Sequence, residues 1–315
     1  MSVDALNEVR ADWLAWRKAG IGGSDIAAVL GLSPWGSPWT VWADKLGFLP
    51  EQPDDAGILE AGRWLELAIG PWTQDRLGLF VSGEQRWCVH TENDWMRCTI
   101  DGVLSESPGA IWPPETLLEI KTSGPGAVWD DVPPHYRSQA LWQMAVTGAQ
   151  AVVIARLAGR RLDHHWIERD AEAEADIAFM VEAGRAFWFD HVLTEVPPPV
   201  DASDATSAVL GALHPRHAPD TGVDLDADLV EHWRAAKAAA KAADEQVRLC
   251  ENAIKAALGD REVGRVDGNT VCTWRTSTRT SLDTKALAAA EPELAKRFER
   301  TTEVRTLRAS TKKGD

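Results

Sequence analysis

Two acidic side chains and one lysine stand beside apolar segments of the chain. Asp101 follows one such segment, and Glu119 and Lys121 alternate with apolar residues in another. Alternate side chains of a β-strand share a face, so Glu119 and Lys121 should point the same way. Charges inside an apolar strand are costly unless they are paired or hold a metal ion. The spacing therefore predicts a site in which Asp101 and Glu119 bind a cation beside Lys121.

This set of groups suits the hydrolysis of a phosphodiester. Carboxylate oxygens are the ligands that Mg²⁺ prefers, and a bound divalent cation neutralises developing charge and makes water more acidic. The ammonium of Lys121 would orient the attacking water and stabilise the phosphate. The backbone carbonyl of Ile120 is a further candidate ligand. The alternative interpretation is a structural ion pair between Glu119 and Lys121.

The pattern around these residues predicts a mixed α/β core in residues 1–195. Predicted helices cover 57–78, 133–147 and 170–193, and predicted strands cover 79–90, 95–104, 115–121, 152–157 and 162–168. Residues 196–224 are rich in Pro, Asp, Ser and Thr and are predicted to be a linker. Residues 225–315 are predicted to hold a long heptad-patterned helix at 228–258 and a small α+β module that ends in a strand at 303–309.

Several aromatic and apolar residues are predicted to pack in the core. Trp35, Trp39 and Trp42 recur at helical spacing. In the 57–78 helix, the residues predicted to face inward are Trp64, Leu65, Leu67 and Ala68.

Composition narrows the class of protein. The formal net charge of −15 disfavours binding to nucleic acid, because phosphates are normally neutralised by basic residues. An acidic exterior can nevertheless coexist with a basic groove. The excess of acidic residues lies in 1–225. No apolar run is long enough to span a bilayer, and the N-terminus lacks a signal-peptide pattern, so a cytosolic protein without a membrane partner is expected. The four cysteines lack metal-ligand spacing and are predicted to be buried free thiols.

Several motifs, in order along the chain, resemble the YqaJ-type viral recombinases of the lambda-exonuclease branch of the PD-(D/E)XK nucleases. The resemblance covers about residues 11–195. The motifs that carry it are Trp16–Asp25, Gly62–Glu66, Asp101-Gly102, Leu118–Thr122 and Pro134–Gly148. One departure is Ile100, which stands where the family usually has proline.

The resemblance implies roles for individual residues. The implied metal ligands are Glu66, Asp101, Glu119 and Ile120, and the implied catalytic residues are Glu66, Asp101, Glu119, Lys121 and Gln139. It places the 5′-phosphate of DNA at Arg17 and Ser24. Tyr136 and Gln143 would position the substrate.

The resemblance also implies a fold and an activity. The fold is a restriction-endonuclease-like core, a central mixed sheet flanked by helices. The activity is Mg²⁺-dependent 5′-to-3′ degradation of linear double-stranded DNA, with Mn²⁺ able to substitute. It would release 5′-mononucleotides and leave 3′ single strands for annealing-type recombination. The resemblance further implies a trimer that acts with an annealing protein. The alternatives are an endonuclease or Cas4-like trimming nuclease of the same fold, and a catalytically silent protein that binds DNA ends.

Overall fold

The structure is a computed structural model that describes residues 12–49, 58–83, 85–109, 112–124, 126–301 and 305–309. The chain divides into two compact units, Met1–His214 and Pro215–Asp315. None of the described helices is both long enough and apolar enough to cross a membrane.

The first unit is a mixed α/β fold. Its helices are α1 (12–18), α2 (Gly23–Val29), α3 (Pro38–Lys45), α4 (Ile58–Leu77), α5 (Pro134–Thr147), α6 (Ala171–Phe187), which continues as a π-helical turn at Trp188–Val192, and α7 (Asp204–Leu213). Its strands are β1 (Phe80–Ser82), β2 (Arg86–Val89), β3 (Arg97–Ile100), β4 (Gly102–Ser105), β5 (Thr116–Ser123), β6 (Ala151–Ala158) and β7 (Arg161–Glu168).

Five strands form the central sheet in the order β1-β4-β5-β6-β7. β5 and β6 run parallel, and the other neighbouring pairs are antiparallel. Parallel neighbours need a crossover, which α5 supplies between β5 and β6. Strands β2 and β3 form a separate two-stranded ribbon. The mixed sheet flanked by helices that was predicted from the sequence is therefore confirmed.

The two faces of the sheet have separate apolar cores. Leu117 and Ile154 belong to the larger core, which contains buried residues of α2, α5 and α6. Leu118 and Ile120 belong to the smaller core, which contains Ile69 of α4. Because side chains alternate along β5, Glu119 shares a face with Leu117 and so faces the larger core, on the α5 side.

A single tryptophan of α5 ties three elements of the first unit together. Trp142 is fully buried, and its indole N–H donates to the backbone oxygens of Ile21 (3.2 Å) and Arg97 (3.0 Å). Ile21 directly precedes the turn into α2, and Arg97 begins β3. These bonds fix the position of α5 against the two segments that border the candidate site.

The predicted linker is partly ordered. Residues 204–213 form α7, whose Thr206 hydroxyl donates to Ser37 Oγ at 2.8 Å and whose Val209 is buried. The sequence did not predict this short helix, because the prolines at 197–199, just before it, indicate a linker. The division into domains at 195 and 225 stays a prediction.

The second unit contains the predicted long helix, α8 (Ala227–Leu258). It is followed by a hairpin of β8 (Val263–Val266) and β9 (Asn269–Thr273), then α9 (Thr284–Ala290) and α10 (Pro292–Arg297). The predicted strand at 303–309 is wrong for the part the structure describes, because residues 305–309 form no strand. Residues 303–304 lie outside the described residues.

Three packing predictions are wrong in part. Trp42 is buried as predicted, but Trp35 is 70 % exposed because it lies in the loop before α3 and not on the helix. In α4 all four residues predicted to face inward are exposed, namely Trp64, Leu65, Leu67 and Ala68, and Ile69 packs on the sheet instead. The thiols of Cys88 and Cys98 are buried as predicted, whereas Cys250 is exposed and Cys272 is partly exposed.

We expect Trp142→Phe to lower the free energy of unfolding of the first unit by about 1–3 kcal/mol, because it removes both hydrogen bonds of the indole N–H. Urea denaturation followed by circular dichroism measures this. Trp166→Phe is the matched control at an exposed indole of β7 and should change stability by no more than about 0.5 kcal/mol. Equal losses for the two variants would contradict the account.

Candidate active site

Asp101 lies where the chain passes from the β2–β3 ribbon into the central sheet. Ile100 pairs with Arg86 of the ribbon, whereas Gly102 pairs with Leu118 of β5. At this change of partner, the Asp101 carboxylate accepts a hydrogen bond from the backbone N–H of Ile120 at 2.7 Å. The bond fixes Asp101 beside the strand that carries Glu119 and Lys121.

Glu119 is buried, and three side chains donate to its carboxylate. Its Oε1 contacts the ammonium of Lys121 and accepts from the amide of Gln139 at 2.7 Å. Its Oε2 accepts from the amide of Gln143 at 2.6 Å. Gln139 and Gln143 are four residues apart on α5 and therefore share the helix face that meets β5. These donors compensate for burying the charge.

The structure corrects the role expected for Gln143. Its side chain is fully buried, and its amide nitrogen donates both to Glu119 and to the backbone oxygen of Thr99 at 3.0 Å. Both donor positions of the amide are thus used inside the protein. Gln143 orients Glu119 and cannot position a substrate by direct contact.

Tyr136 lies next to Lys121 of this group. Its ring centroid is 5.2 Å from Nζ of Lys121, within the range of a cation–π contact. The ring is partly exposed, and it also lies 5.2 Å from the ring of Trp129. A role for Tyr136 in positioning the substrate stays a prediction.

The side chain of Gln85 connects Glu66 of α4 with Asp101. The side-chain amide nitrogen of Gln85 donates to Glu66 Oε2 at 3.0 Å and lies 3.5 Å from Asp101 Oδ1. Gln85 has a positive φ of 54°, a conformation that L-residues rarely adopt. Two carboxylate oxygens from different elements therefore face one nitrogen atom.

The electrostatics of the group favour an added positive charge. Burial and then the neighbouring Glu119 raise the pKa of Asp101 well above its usual range. Burial would lower the pKa of Lys121, but the adjacent Glu119 carboxylate outweighs it and raises the pKa overall. A cation beside Asp101 would reverse its shift, since a nearby opposite charge stabilises the ionised carboxylate.

These residues fit a hard divalent cation. Within the described parts of the chain, no three His, Cys, Asp or Glu side chains come together as a preassembled metal site. Glu66 and Asp101 nevertheless face a shared point with oxygen donors, and Glu119 is close enough to raise the pKa of Asp101. The carbonyl of Ile120 as a ligand stays a prediction.

A cleft of about 130 Å³ adjoins this group. Its lining includes Arg17 and Ser24, the residues expected at a 5′-phosphate, together with Arg97 and Gln139. Ser24 is exposed and Arg17 is about one-third exposed. Gln139 lines the cleft and also donates to Glu119, so the cleft and the carboxylates are directly adjacent.

Asp25 and Lys45, which sequence reasoning did not assign to the site, hold Arg17 in this cleft. Asp25 accepts from the Arg17 guanidinium at 2.9 Å, from the backbone N–H of Gly22 at 2.8 Å and from the buried ammonium of Lys45. Lys45 also donates to the backbone oxygen of Arg17 at 2.9 Å. Lys45 lies 20 positions after Asp25 in the chain, so only the fold brings the three side chains together.

Comparisons with known proteins agree with the predicted family. The sequence model of the YqaJ-like viral recombinase domain matches residues 12–150. The protein YqaJ of Bacillus subtilis (strain 168) is 27% identical over 306 residues, which is 94% of this chain and 92% of that protein.

The chain also aligns with solved structures. Alkaline exonuclease LHK-Exo from Laribacter hongkongensis is 19% identical, with a TM-score of 0.40 over 59% of this chain and 98% of that one. LHK-Exo in complex with dAMP gives 21% identity and a TM-score of 0.46, over 59% of this chain and 94% of that one. A phage-related exonuclease from Haemophilus somnus 129PT gives 14% identity and a TM-score of 0.39, over 56% and 96%.

The central mixed sheet with its acidic residues and lysine at β5 is the arrangement that the sequence predicted for a restriction-endonuclease-like core. Residues 12–150 match the sequence model of the YqaJ-like viral recombinase domain.

We expect Asp25→Asn to lower the free energy of unfolding by about 3–5 kcal/mol at pH 7, because it leaves Lys45 buried without a counter-ion. Exchanging both residues, Asp25→Asn with Lys45→Met, should recover at least half of that loss. Urea denaturation of the wild type, both single variants and the double variant measures both effects. A double variant as unstable as the sum of its single changes would contradict the pairing.

The same pair predicts how stability depends on pH. Burial alone would raise the pKa of Asp25, but Lys45 and Arg17 outweigh it and hold the pKa far below the usual value. The stabilisation is therefore complete above the unfolded-state pKa of about 3.9 and is lost as the pH falls below it. The difference in unfolding free energy between wild type and Asp25→Asn should shrink steadily below about pH 4. A constant difference would contradict this.

Proposed function

We propose that this protein is a divalent-metal-dependent exonuclease that degrades linear double-stranded DNA from the 5′ end. The observation that supports it best is the group formed by Glu66, Asp101, Glu119 and Lys121, next to a cleft that contains Arg17. A cation-binding group beside a cleft with fixed arginine is suited to cutting a phosphodiester near a strand end. The match of residues 12–150 to the YqaJ-like viral recombinase domain supports DNA as the substrate.

The carboxylates would hold Mg²⁺, or Mn²⁺ in its place. When bound, the cation would neutralise negative charge that develops on the phosphate and make a water molecule more acidic. Glu66 and Asp101 are suited to be ligands because their oxygens face one point. The amide of Gln85, which now lies between those oxygens, would move aside as the cation binds.

Lys121 and Gln139 have roles that follow from their contacts with Glu119. The ammonium of Lys121 stays protonated, because its pKa is raised, and can stabilise negative charge on the phosphate. Gln139 connects Glu119 with the cleft, so it can contact a water molecule or the substrate while it keeps Glu119 oriented. Gln143 supports Glu119 from inside the protein.

Arg17 and Ser24 would recognise the end of the DNA strand. Arg17 donates one side of its guanidinium to Asp25, which holds the group in place, and its remaining N–H groups can bind phosphate oxygens. The Ser24 hydroxyl is exposed in the same cleft. A 5′-phosphate held here would place the first phosphodiester near Glu119, and successive cuts would release 5′-mononucleotides.

Cutting from 5′ ends would leave 3′ single strands, the substrates of annealing-type recombination. Resemblance to the lambda-exonuclease branch supports this product, a ring-shaped trimer around DNA and an annealing protein as partner. The competing functions are an endonuclease, including a Cas4-like trimming nuclease, of the same fold and a silent protein that binds DNA ends. A comparison of linear with closed circular DNA separates these functions from the exonuclease.

We expect the purified protein to degrade linear duplex DNA in Mg²⁺ and to leave closed circular DNA intact, because cutting begins at an end. Gel analysis of both substrates, with EDTA as the metal-free control, measures this. Comparable cutting of closed circles would show an endonuclease. Binding of ends without degradation, whether in Mg²⁺ or in Mn²⁺, would show a silent end-binding protein.

Lys121→Ala should lower the rate of degradation at least about 100-fold, because it removes the ammonium that stabilises charge at the phosphate. Lys285→Ala, at an exposed lysine of the second unit, is the matched control and should retain the wild-type rate. Retained activity in a folded Lys121→Ala protein would contradict the assignment.

Arg17→Lys should reduce the preference for a 5′-phosphate over a 5′-hydroxyl end, because a lysine keeps the charge but loses the planar donor pair. The preference is measured as the ratio of kcat/KM for the two ends of otherwise identical duplexes. We expect the ratio to fall at least fivefold. An unchanged ratio would remove Arg17 from end recognition.

A further inference from the structure

An exposed tryptophan stands at the end of a row of rings that begins at the candidate catalytic lysine. Tyr136 lies 5.2 Å from Nζ of Lys121, and the ring of His135 lies 4.1 Å from that of Tyr136. Trp35 meets His135 at 5.0 Å with the two planes nearly perpendicular, and lies 6.4 Å from Tyr136. We call Tyr136, His135 and Trp35 the ring row.

The position of Trp35 distinguishes it from other exposed apolar residues. Single exposed apolar side chains are common on protein surfaces and need no special explanation. Trp35, however, is 70 % exposed and lies within two ring contacts of Lys121. A large aromatic surface left open beside a phosphodiester-cutting group is suited to a flat ligand.

The backbone at Trp35 is held in place, and its exposed indole has a ring contact on one edge. The Ser33 hydroxyl accepts from the backbone N–H groups of Trp35 at 3.2 Å and Gly36 at 3.1 Å. His135 supports the indole through an edge contact, so the contact leaves surface of the indole uncovered. The fixed backbone and the contact with His135 reduce the conformational entropy that would be lost when a ligand stacks on the indole.

We propose that Trp35 is a stacking platform for an unpaired nucleobase of the DNA strand that enters the site. Every base presents a flat π-face, so stacking on an indole tolerates any sequence, which a degrading enzyme requires. The phosphate of the same strand would lie toward Lys121, and the base would lie over the ring row. This inference rests on the proposed function, because it assumes that DNA is the substrate.

The test is a binding measurement in the Lys121→Ala background, where the proposed function predicts binding of DNA without cutting. Fluorescence anisotropy with Mg²⁺ gives the Kd for a 5′-phosphorylated duplex with a short single-stranded end. Adding Trp35→Ala should weaken binding about five- to 150-fold, the range for loss of one stacked base. Adding Trp166→Ala, at an exposed indole of the edge strand β7, should leave Kd unchanged.

A second set of substrates locates the base. An abasic site is moved one nucleotide at a time through the strand, and at one position it should weaken binding by the parent protein as much as Trp35→Ala does. At that position, the abasic site should cost the Trp35→Ala protein little, because the stacking contact is already absent. Trp35→Phe should retain part of the affinity.

The possible failures differ from one another. If the Trp35→Ala and parent proteins bind the intact duplex equally, the stacking proposal is wrong while the nuclease proposal stands. The same conclusion follows if an abasic site at each position weakens the binding of both proteins by the same factor. If the parent protein does not bind DNA, and the wild type does not degrade it, both proposals are wrong.

Discussion

The buried carboxylate of Glu119 is the feature on which the arrangement of the site depends. An ionised group without partners would be too costly in the interior of the sheet. Here Lys121 on the same strand and two amides of α5 donate to it. The crossover from β5 to β6 brings α5 over this strand. The sheet topology therefore places the two amides that compensate for the buried charge of Glu119. Trp142, on the same helix, fixes α5 to the segments that contain Ile21 and Arg97.

A second buried carboxylate, Asp25, organises the neighbouring cleft by the same means. Its two cationic partners are Lys45, which is wholly buried, and Arg17, which is open to the cleft. The buried ammonium of Lys45 stabilises the Asp25 carboxylate. The guanidinium of Arg17 has further N–H groups that can bind a ligand. The two carboxylates therefore have different consequences. Glu119 lies at the cation-binding group, whereas Asp25 holds a side chain that faces the phosphate cleft.

The sequence predicted the parts of the fold that depend on local pattern. Alternation in β5 identified Glu119 and Lys121, and the long helix α8 followed from its heptad repeat. The inward face of α4 was assigned wrongly, because its apolar residues do not all lie on one side and the sheet selects Ile69. Trp35 was assigned to the core because helical spacing continued across the loop before α3. Contacts between distant positions, such as Lys45 with Asp25 or Gln85 with Glu66, leave no local pattern and required the structure.

The account depends most on the claim that Asp101 and its neighbours bind a divalent cation. Titration of Mn²⁺, followed by electron paramagnetic resonance, measures this without relying on activity. Asp101→Asn keeps an oxygen that can accept from Ile120 but removes the charge, and Asp130→Asn is a control at an exposed acidic residue. We expect saturable binding in the wild type and in Asp130→Asn, and at least tenfold weaker binding in Asp101→Asn. Equal affinity in the wild type and Asp101→Asn would contradict the central claim.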